Sequence, residues 1–284
     1  MEKYCVRHGE ESDFEQLREL WEICFPEAPE FNVFFFERMY NCNAVRLISC
    51  SGKVAAALYV FPYSFIKKGQ SEIKGYYIYG VGTHPEMRGR GLAGILLNET
   101  LKEASECGMD LCMLVPQNEG LFAFYEKFGF FPAFGMQERI YRASGNAEKC
   151  VRKACETDIE SLNYIYEESF GERLHVKRTY EEWQLLIDEF ELSGGGIYLF
   201  EECGKPVSYA TYAEENGKAT VREIAAEDDK YANAVLEGTA GAEGKREISA
   251  FMPCGEIYYG SVCSLSREAE EFDFKNAYMN LMHS

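Results

Sequence analysis

The stretch Gly80-Val81-Gly82-Thr83-His84-Pro85-Glu86-Met87-Arg88-Gly89-Arg90-Gly91-Leu92-Ala93-Gly94 concentrates residue types suited to holding an anion. Glycines at 89 and 91 let backbone N–H groups approach a ligand with no Cβ in the way. The spacing of Leu92, Ile95, Leu96, Leu101 and Ala104 predicts a helix over 92–105, so the loop ends at a helix N-terminus with unpaired donors and partial positive charge. Arg88 and Arg90 add guanidinium groups that match phosphate oxygens. The pattern is not the dinucleotide fingerprint, which needs a βαβ unit and an acid about 20 residues further on, and it lacks the Gly-Lys-Ser/Thr ending of a triphosphate loop.

Two strands must position that loop. The aromatic run 76–83 predicts a strand leading into it, and 110–115 predicts another after the helix. Asn118 and the segment Phe122-Ala123-Phe124-Tyr125-Glu126-Lys127-Phe128-Gly129-Phe130 then read as a short helix and turn.

The scaffold occurs twice. Cys5, Val6, Arg7, Glu11, Asp13, Glu15, Leu17, Glu22 and Phe25 recur as Cys150, Val151, Arg152, Glu156, Asp158, Glu160, Leu162, Glu167 and Phe170, at a constant offset of 145 (150 − 5). Each copy reads as a short strand, a Ser12 or Thr157 beside an Asp as N-cap, and an amphipathic helix. Glycine-turn hairpins follow at 45–60 and 196–210. The expected division is 1–145 and 146–284, two domains of one α/β (α+β) architecture, each a mixed sheet flanked by helices. In the second copy, Ile224-Ala225-Ala226-Glu227-Asp228-Asp229-Lys230-Tyr231-Ala232 replaces the Arg/Gly loop. Its carboxylates repel phosphate, so this half is expected not to bind such a ligand.

Composition narrows the partners. The chain of 284 residues carries a formal charge of −18, which disfavours nucleic acid and favours cationic molecules. No apolar run reaches membrane-spanning length, and the start shows no signal-peptide pattern, so a cytoplasmic location is expected. The 11 cysteines lack zinc-finger spacing; they read as reduced core residues, and no metal site is expected. Among the clustered Phe31, Phe34, Phe35 and Phe36, helical spacing makes most of them core and leaves one or two for a pocket.

Arg88-Gly89-Arg90-Gly91-Leu92-Ala93 resembles the Arg/Gln-x-x-Gly-x-Gly/Ala motif of the GNAT superfamily of acetyltransferases. Strand 76–83, strand 110–115, Asn118 and the segment 122–130 match that family's neighbouring elements in order and spacing. The tandem layout is similar to the core of the enhanced-intracellular-survival type of aminoglycoside acetyltransferase. The resemblance implies two tandem GNAT-like domains with largely antiparallel twisted sheets, the first catalytic and the second degenerate. It implies acetyl-CoA as acyl donor, bound by Val81, Gly82 and Thr83 along its arm and by Arg88, Gly89, Arg90, Gly91, Leu92 and Ala93 at its pyrophosphate, with Asn118 alongside. It implies Tyr125 as the acid at the departing sulfur and a primary amine, small-molecule or peptide, as acceptor in a ternary complex. In the enhanced-intracellular-survival type the C-terminal carboxylate reaches the active site; here the apolar ending 274–282 implies a packed tail, with the part of Ser284 left open. A non-catalytic acetyl-CoA sensor is the competing expectation, and oligomeric state is not readable.

Overall fold

A computed structural model of the chain describes residues 4–26, 29–145, 151–215 and 217–281. In chain order the elements are β1 (Tyr4–His8), α1 (Phe14–Cys24), α2 (Pro29–Arg38), β2 (Val45–Cys50), β3 (Lys53–Ile66), β4 (Ile73–Thr83), α3 (Leu92–Glu106), β5 (Leu111–Leu114), α4 (Glu119–Tyr125) and β6 (Phe131–Arg142). They continue as β7 (Val151–Lys153), α5 (Ile159–Phe170), β8 (His175–Val176), α6 (Tyr180–Leu192), β9 (Gly196–Glu202), β10 (Lys205–Glu215), β11 (Lys218–Ala226), α7 (Asp229–Ala242), β12 (Glu247–Pro253), β13 (Ile257–Ser264) and α8 (Arg267–Glu270). No helix among the described residues is long and apolar enough to cross a membrane.

Two compact units result. Unit 1 takes the described residues of 1–65, 72–132 and 260–272, and unit 2 those of 66–71, 133–259 and 273–284. The contiguous halves expected on either side of 145 are therefore not how the chain partitions. The physical reason lies in strand pairing. The outer edge of β5 is taken by the end of β13, with Ser261 opposite Leu114 and Ser264 opposite Leu111, while β6 pairs with β12. Unpaired backbone groups at a sheet edge demand partners, and here each half supplies a strand to the other half's unit.

In unit 1 the strands run β1-β2-β3-β4-β5 with the end of β13 beyond; in unit 2 they run β6-β12-β11-β10-β9-β7. The pairs β4/β5 and β11/β12 are parallel and the other pairs within these runs are antiparallel. Both units are thus mixed, largely antiparallel sheets. Helices cover both faces of each. In unit 1, Leu92, Leu96 and Leu97 of α3 pack one face, and Leu17, Leu20, Trp21 and Phe35 of α1 and α2 pack the other. In unit 2, Val235, Leu236 and Ala240 of α7 face one side, and Tyr166, Trp183 and Leu186 of α5 and α6 the other.

The sequence repeat has a structural cause. Arg7 makes a two-pronged ion pair to Asp13 at 2.6 and 2.7 Å, and Arg152 repeats it to Asp158 at 2.7 and 2.8 Å. The same carboxylates accept backbone N–H groups from Glu10 at 2.9 Å and Cys155 at 3.0 Å. The expected caps at Ser12 and Thr157 are not formed. Instead each Asp ties the first strand to the start of the following helix, which is why Arg and Asp recur together. Cys150 lies outside the described residues. Of the other cysteines, all free thiols, Cys50, Cys112 and Cys263 are buried, but Cys5, Cys107, Cys155, Cys203 and Cys254 are exposed. The expectation of core cysteines fails for those five, whose positions at strand starts, turns and helix ends place them at the surface.

Candidate functional site

The expected strand–loop–helix forms in unit 1. β4 pairs with β3 along its whole length but with β5 only at Gly75, Tyr76 and Tyr77 among the described residues. From Ile78 onward its β5-side edge diverges. Gly80 sits in a bulge with φ +57°, and a Cβ there would lie 2.4 Å from the Trp21 ring, so only glycine fits. Trp21 is immobilised by stacking on Phe35 at 4.2 Å and by donating its indole N–H to Asn32 Oδ1 at 2.7 Å.

Backbone groups along a strand alternate in direction. The N–H of His84 donates to Ala55 O on β3 at 2.9 Å. Val81 and Thr83 therefore direct their backbone groups the other way, into the divergence. The Thr83 carbonyl accepts Arg88 Nε at 3.1 Å and the Cys24 thiol at 3.6 Å from that side. The Val81 side chain packs in the α3-side core, and Gly82 lies beneath Cys24, whose Sγ would be 3.1 Å from a Cβ at that position. Burial raises the Cys24 thiol pKa against the opposing influence of Arg88. Such a thiol stays protonated and serves as a donor rather than a nucleophile.

Beyond Thr83, the His84 ring caps a short 3-10 turn at Pro85–Met87, its Nδ1 accepting the Glu86 N–H at 3.3 Å. A ring nitrogen used this way is not offered to a reacting amine. Gly89 and Gly91 adopt φ of +75° and +76°, with nothing near the position of an added Cβ. Their requirement for glycine is thus conformational rather than steric. Gly91 is the N-cap of α3 and supplies no side chain to its first-turn amides. Leu92 is buried, and Ala93 follows it in that turn. Gly94 brings α3 against Phe128, which a Cβ would approach to 2.8 Å. Arg90 is exposed and donates to Glu86 O at 3.4 Å. The strand end, the 3-10 turn and the helix start are thus stitched together by Arg88, His84 and Arg90, a structural duty for the two arginines that their spacing did not reveal.

Asn118 caps α4, accepting the Leu121 N–H at 3.2 Å. Tyr125 ends that helix, 7% exposed, between Phe124 and Phe130 at ring distances of 5.1 and 5.9 Å. It packs in the cluster that holds Leu92, Leu96 and Leu114, so α4 sits on the same face as α3. Burial pushes its phenol up to about 12, which keeps the proton on the ring at neutral pH. Of the clustered phenylalanines, Phe35 is fully buried, while Phe31 and Phe36 are partly buried around the Trp21 cluster. Sequence reasoning missed Trp21, Cys24 and the bulge. A glycine isolated within a strand pattern, as at Gly80, was the available signal.

The corresponding loop of unit 2 is built otherwise. Asp228 caps α7, its carboxylate accepting the Tyr231 N–H at 3.0 Å. Ser284 lies outside the described residues.

Residues 5–133 match the family model described as Acetyltransferase (GNAT) domain. Among solved structures, the chain is similar to a probable N-acyltransferase from Enterococcus faecalis, at 14% identity and TM-score 0.77, over 94% of this chain and 74% of that one. It is also similar to a GCN5-related N-acetyltransferase from Anabaena variabilis, at 17% identity and TM-score 0.71, over 93% and 73%. A third is Eis1 from Mycobacterium abscessus, at 14% identity and TM-score 0.66, over 94% and 75%. At such identities the likeness speaks for the fold, which in all three runs the length of this chain.

Proposed function

The chain carries a GNAT acetyltransferase domain and is an acyltransferase, and from that premise we propose that it moves an acetyl group from acetyl-CoA to a primary amine by direct attack in a ternary complex. The observation that carries this reading is the glycine-opened, uncapped start of α3 beside the diverging half of β4. The amides of Gly89, Gly91, Leu92 and Ala93 suit pyrophosphate oxygens, with Arg88 and Arg90 adding charge. The outward backbone groups of Val81 and Thr83, with Gly82 between, suit the amide-bearing arm of the donor, and Asn118 lies at the start of the next helix.

The amine nitrogen bonds to the thioester carbon, the carbon–sulfur bond breaks, and sulfur leaves with its electron pair. An N–H of β4 directed into the divergence supplies the dipole that steadies the carbonyl oxygen, a role worth roughly 3 kcal/mol in other acyl transfers. Tyr125, protonated across the physiological range, is the group that hydrogen-bonds and protonates the sulfur. A cationic amine first gives up a proton to water. The N–H proton lost as the amide forms also passes to water, which returns one to the Tyr125 oxygen, since His84 is committed to its turn. A charge of −18 favours a cationic acceptor, a small molecule or a peptide amine. Five exposed free thiols suit a reducing compartment, the cytoplasm.

Calorimetry with acetyl-CoA, followed by thiol release in the presence of a panel of primary amines, tests the proposal. One donor bound per chain and amine-stimulated release are expected. Binding without release for every amine would leave a sensor, and two donors per chain would overturn the assignment of unit 2.

A further inference from the structure

Unit 2 encloses a charged pair that the proposed chemistry does not use. Arg178, between β8 and α6, makes a two-pronged bond to Glu223 of β11, with both distances 2.7 Å and side-chain exposures of 4% and 0%. The Arg178 guanidinium lies 4.2 Å from the centre of the Tyr166 ring and 4.5 Å from that of Trp183. Glu223 also accepts the Tyr209 hydroxyl at 2.6 Å. The remaining partners come from the C-terminal segment. Tyr278 donates its hydroxyl to Glu223 at 2.7 Å, the Asn280 amide donates at 3.4 Å, and the Asn280 carbonyl accepts from Arg178 at 2.8 Å.

The segment is held like a bound peptide. Tyr278 exchanges main-chain bonds with residues 174–176, its N–H donating to Leu174 O at 2.7 Å and its carbonyl accepting from Val176 N at 3.2 Å. Its ring stacks on Phe170 at 3.9 Å, and Leu281 O accepts the Tyr259 hydroxyl at 2.9 Å. Further back, the carbonyls of Phe274 and Lys275 accept the N–H groups of Phe134 and Gly135, both at 2.9 Å.

A desolvated ion pair is stable only when its remaining lone pairs and protons are also satisfied. Three of those bonds come from residues 278 and 280, so pair and segment need each other.

We propose that this face of unit 2 is a binding site for the chain's own residues 273–281, with Arg178–Glu223 as its recognition pair, and that the segment detaches as a unit when the pair is broken while the sheet stays folded. The α5–α6 face, rather than any ligand loop, is then the working surface of unit 2, and its occupant is supplied in cis.

Hydrogen exchange on the full chain, read by mass spectrometry, tests this with Glu223→Gln and Tyr278→Phe. Loss of the carboxylate charge is expected to speed exchange at 174–176 and 273–281 by about tenfold or more, with β9 and β10 keeping their protection. Tyr278→Phe removes one hydroxyl bond and no charge, and a smaller acceleration confined to the same segments is expected. It decides the matter alone if the first variant does not fold. Uniform loss of protection through unit 2 in Tyr278→Phe would make the pair an ordinary core element and overturn the proposal. Unchanged exchange at 273–281 would overturn it as well.

Discussion

Units 1 and 2 begin alike and end differently. The Arg–Asp clamp between the first strand and the first helix is the same in both, and parallel pairing starts at equivalent places, Gly75 opposite Leu111 and Thr220 opposite Ser249. The difference appears where the central strand enters its helix. Unit 1 opens α3 with Gly91 and no side-chain acceptor, while unit 2 opens α7 with the carboxylate of Asp228. Both helix ends prefer a negative charge. One receives it from its own chain, and the other has no side-chain acceptor, the feature on which the proposed donor site rests. After β5, unit 1 inserts α4 and Tyr125; after β12, unit 2 turns at Cys254–Gly255 directly into β13. On the opposite face, Trp21 and Phe35 make an aromatic core in unit 1, where unit 2 buries Arg178–Glu223. The two units thus share the clamp that ties first strand to first helix and differ in their helix caps.

The largest expected effect falls on the element that unit 2 lacks. Tyr125→Phe keeps the ring in its cluster and removes the hydroxyl proposed as proton donor, so turnover should fall by about 100-fold or more with acetyl-CoA affinity nearly unchanged. Steady-state kinetics beside calorimetry would show it, and equal turnover would remove the assignment. Gly91→Ala comes next. A φ of +76° strains any L side chain, by roughly 1–2 kcal/mol, and shifts the amides of Leu92 and Ala93. Acetyl-CoA affinity should drop by about tenfold, whereas Ala93→Gly should leave it within about threefold, because that position has helical geometry.

Much of this contrast could be read from the residues. Helix 92–105, the strand before it and both hairpins lie within a few residues of where periodicity and glycine placed them, because apolar spacing and turn chemistry are local. The acidic replacement at Glu227, Asp228 and Asp229 was also visible, although not that Asp228 would serve as a cap. What escaped was long-range. Nothing in the spacing of Ser261–Ser264 says that they pair with β5 rather than with a neighbour in sequence, since any β-rich edge satisfies the same backbone groups. Arg88 and Arg90 read as phosphate ligands by composition, yet in the structure Arg88 bonds the carbonyl at the end of β4 and Arg90 one in the loop, a choice made by tertiary geometry. Arg178 and Glu223 are 45 residues apart, and no local pattern links them.

A smaller effect separates the two clamps by pH. Arg152 holds the Asp158 carboxyl down to about 2 from an ordinary 3.8. A depressed carboxyl contributes stability that is present above its unfolded value and is lost as pH falls from there through the folded one. Arg152→Ala should therefore destabilise the chain at pH 6, by on the order of 1–2 kcal/mol once the partial exposure of Arg152 is allowed for, with the deficit closing between about pH 4 and 2. Arg7→Ala should act in the same direction, since Arg7 also lowers the Asp13 pKa. Denaturant titrations across that pH range would show both, and a deficit that persists below pH 2 would assign the loss to packing instead.

The smallest effect is the sharpest on the comparison itself. Asp228→Ala removes the carboxylate that satisfies the start of α7, at a cost of about 1 kcal/mol. It leaves an uncapped helix at the position equivalent to the proposed donor site of unit 1. If an uncapped helix end were sufficient, this variant would acquire a second, weak acetyl-CoA site. It should not, because β11 leads into α7 without the glycine turn, and Glu227 and Asp229 remain beside it. Calorimetry on the variant should still give one donor per chain, with only the melting temperature lowered by a few degrees. A second binding event would mean that the cap alone separates the two units, and that the left-handed glycines of unit 1 contribute less than their geometry suggests.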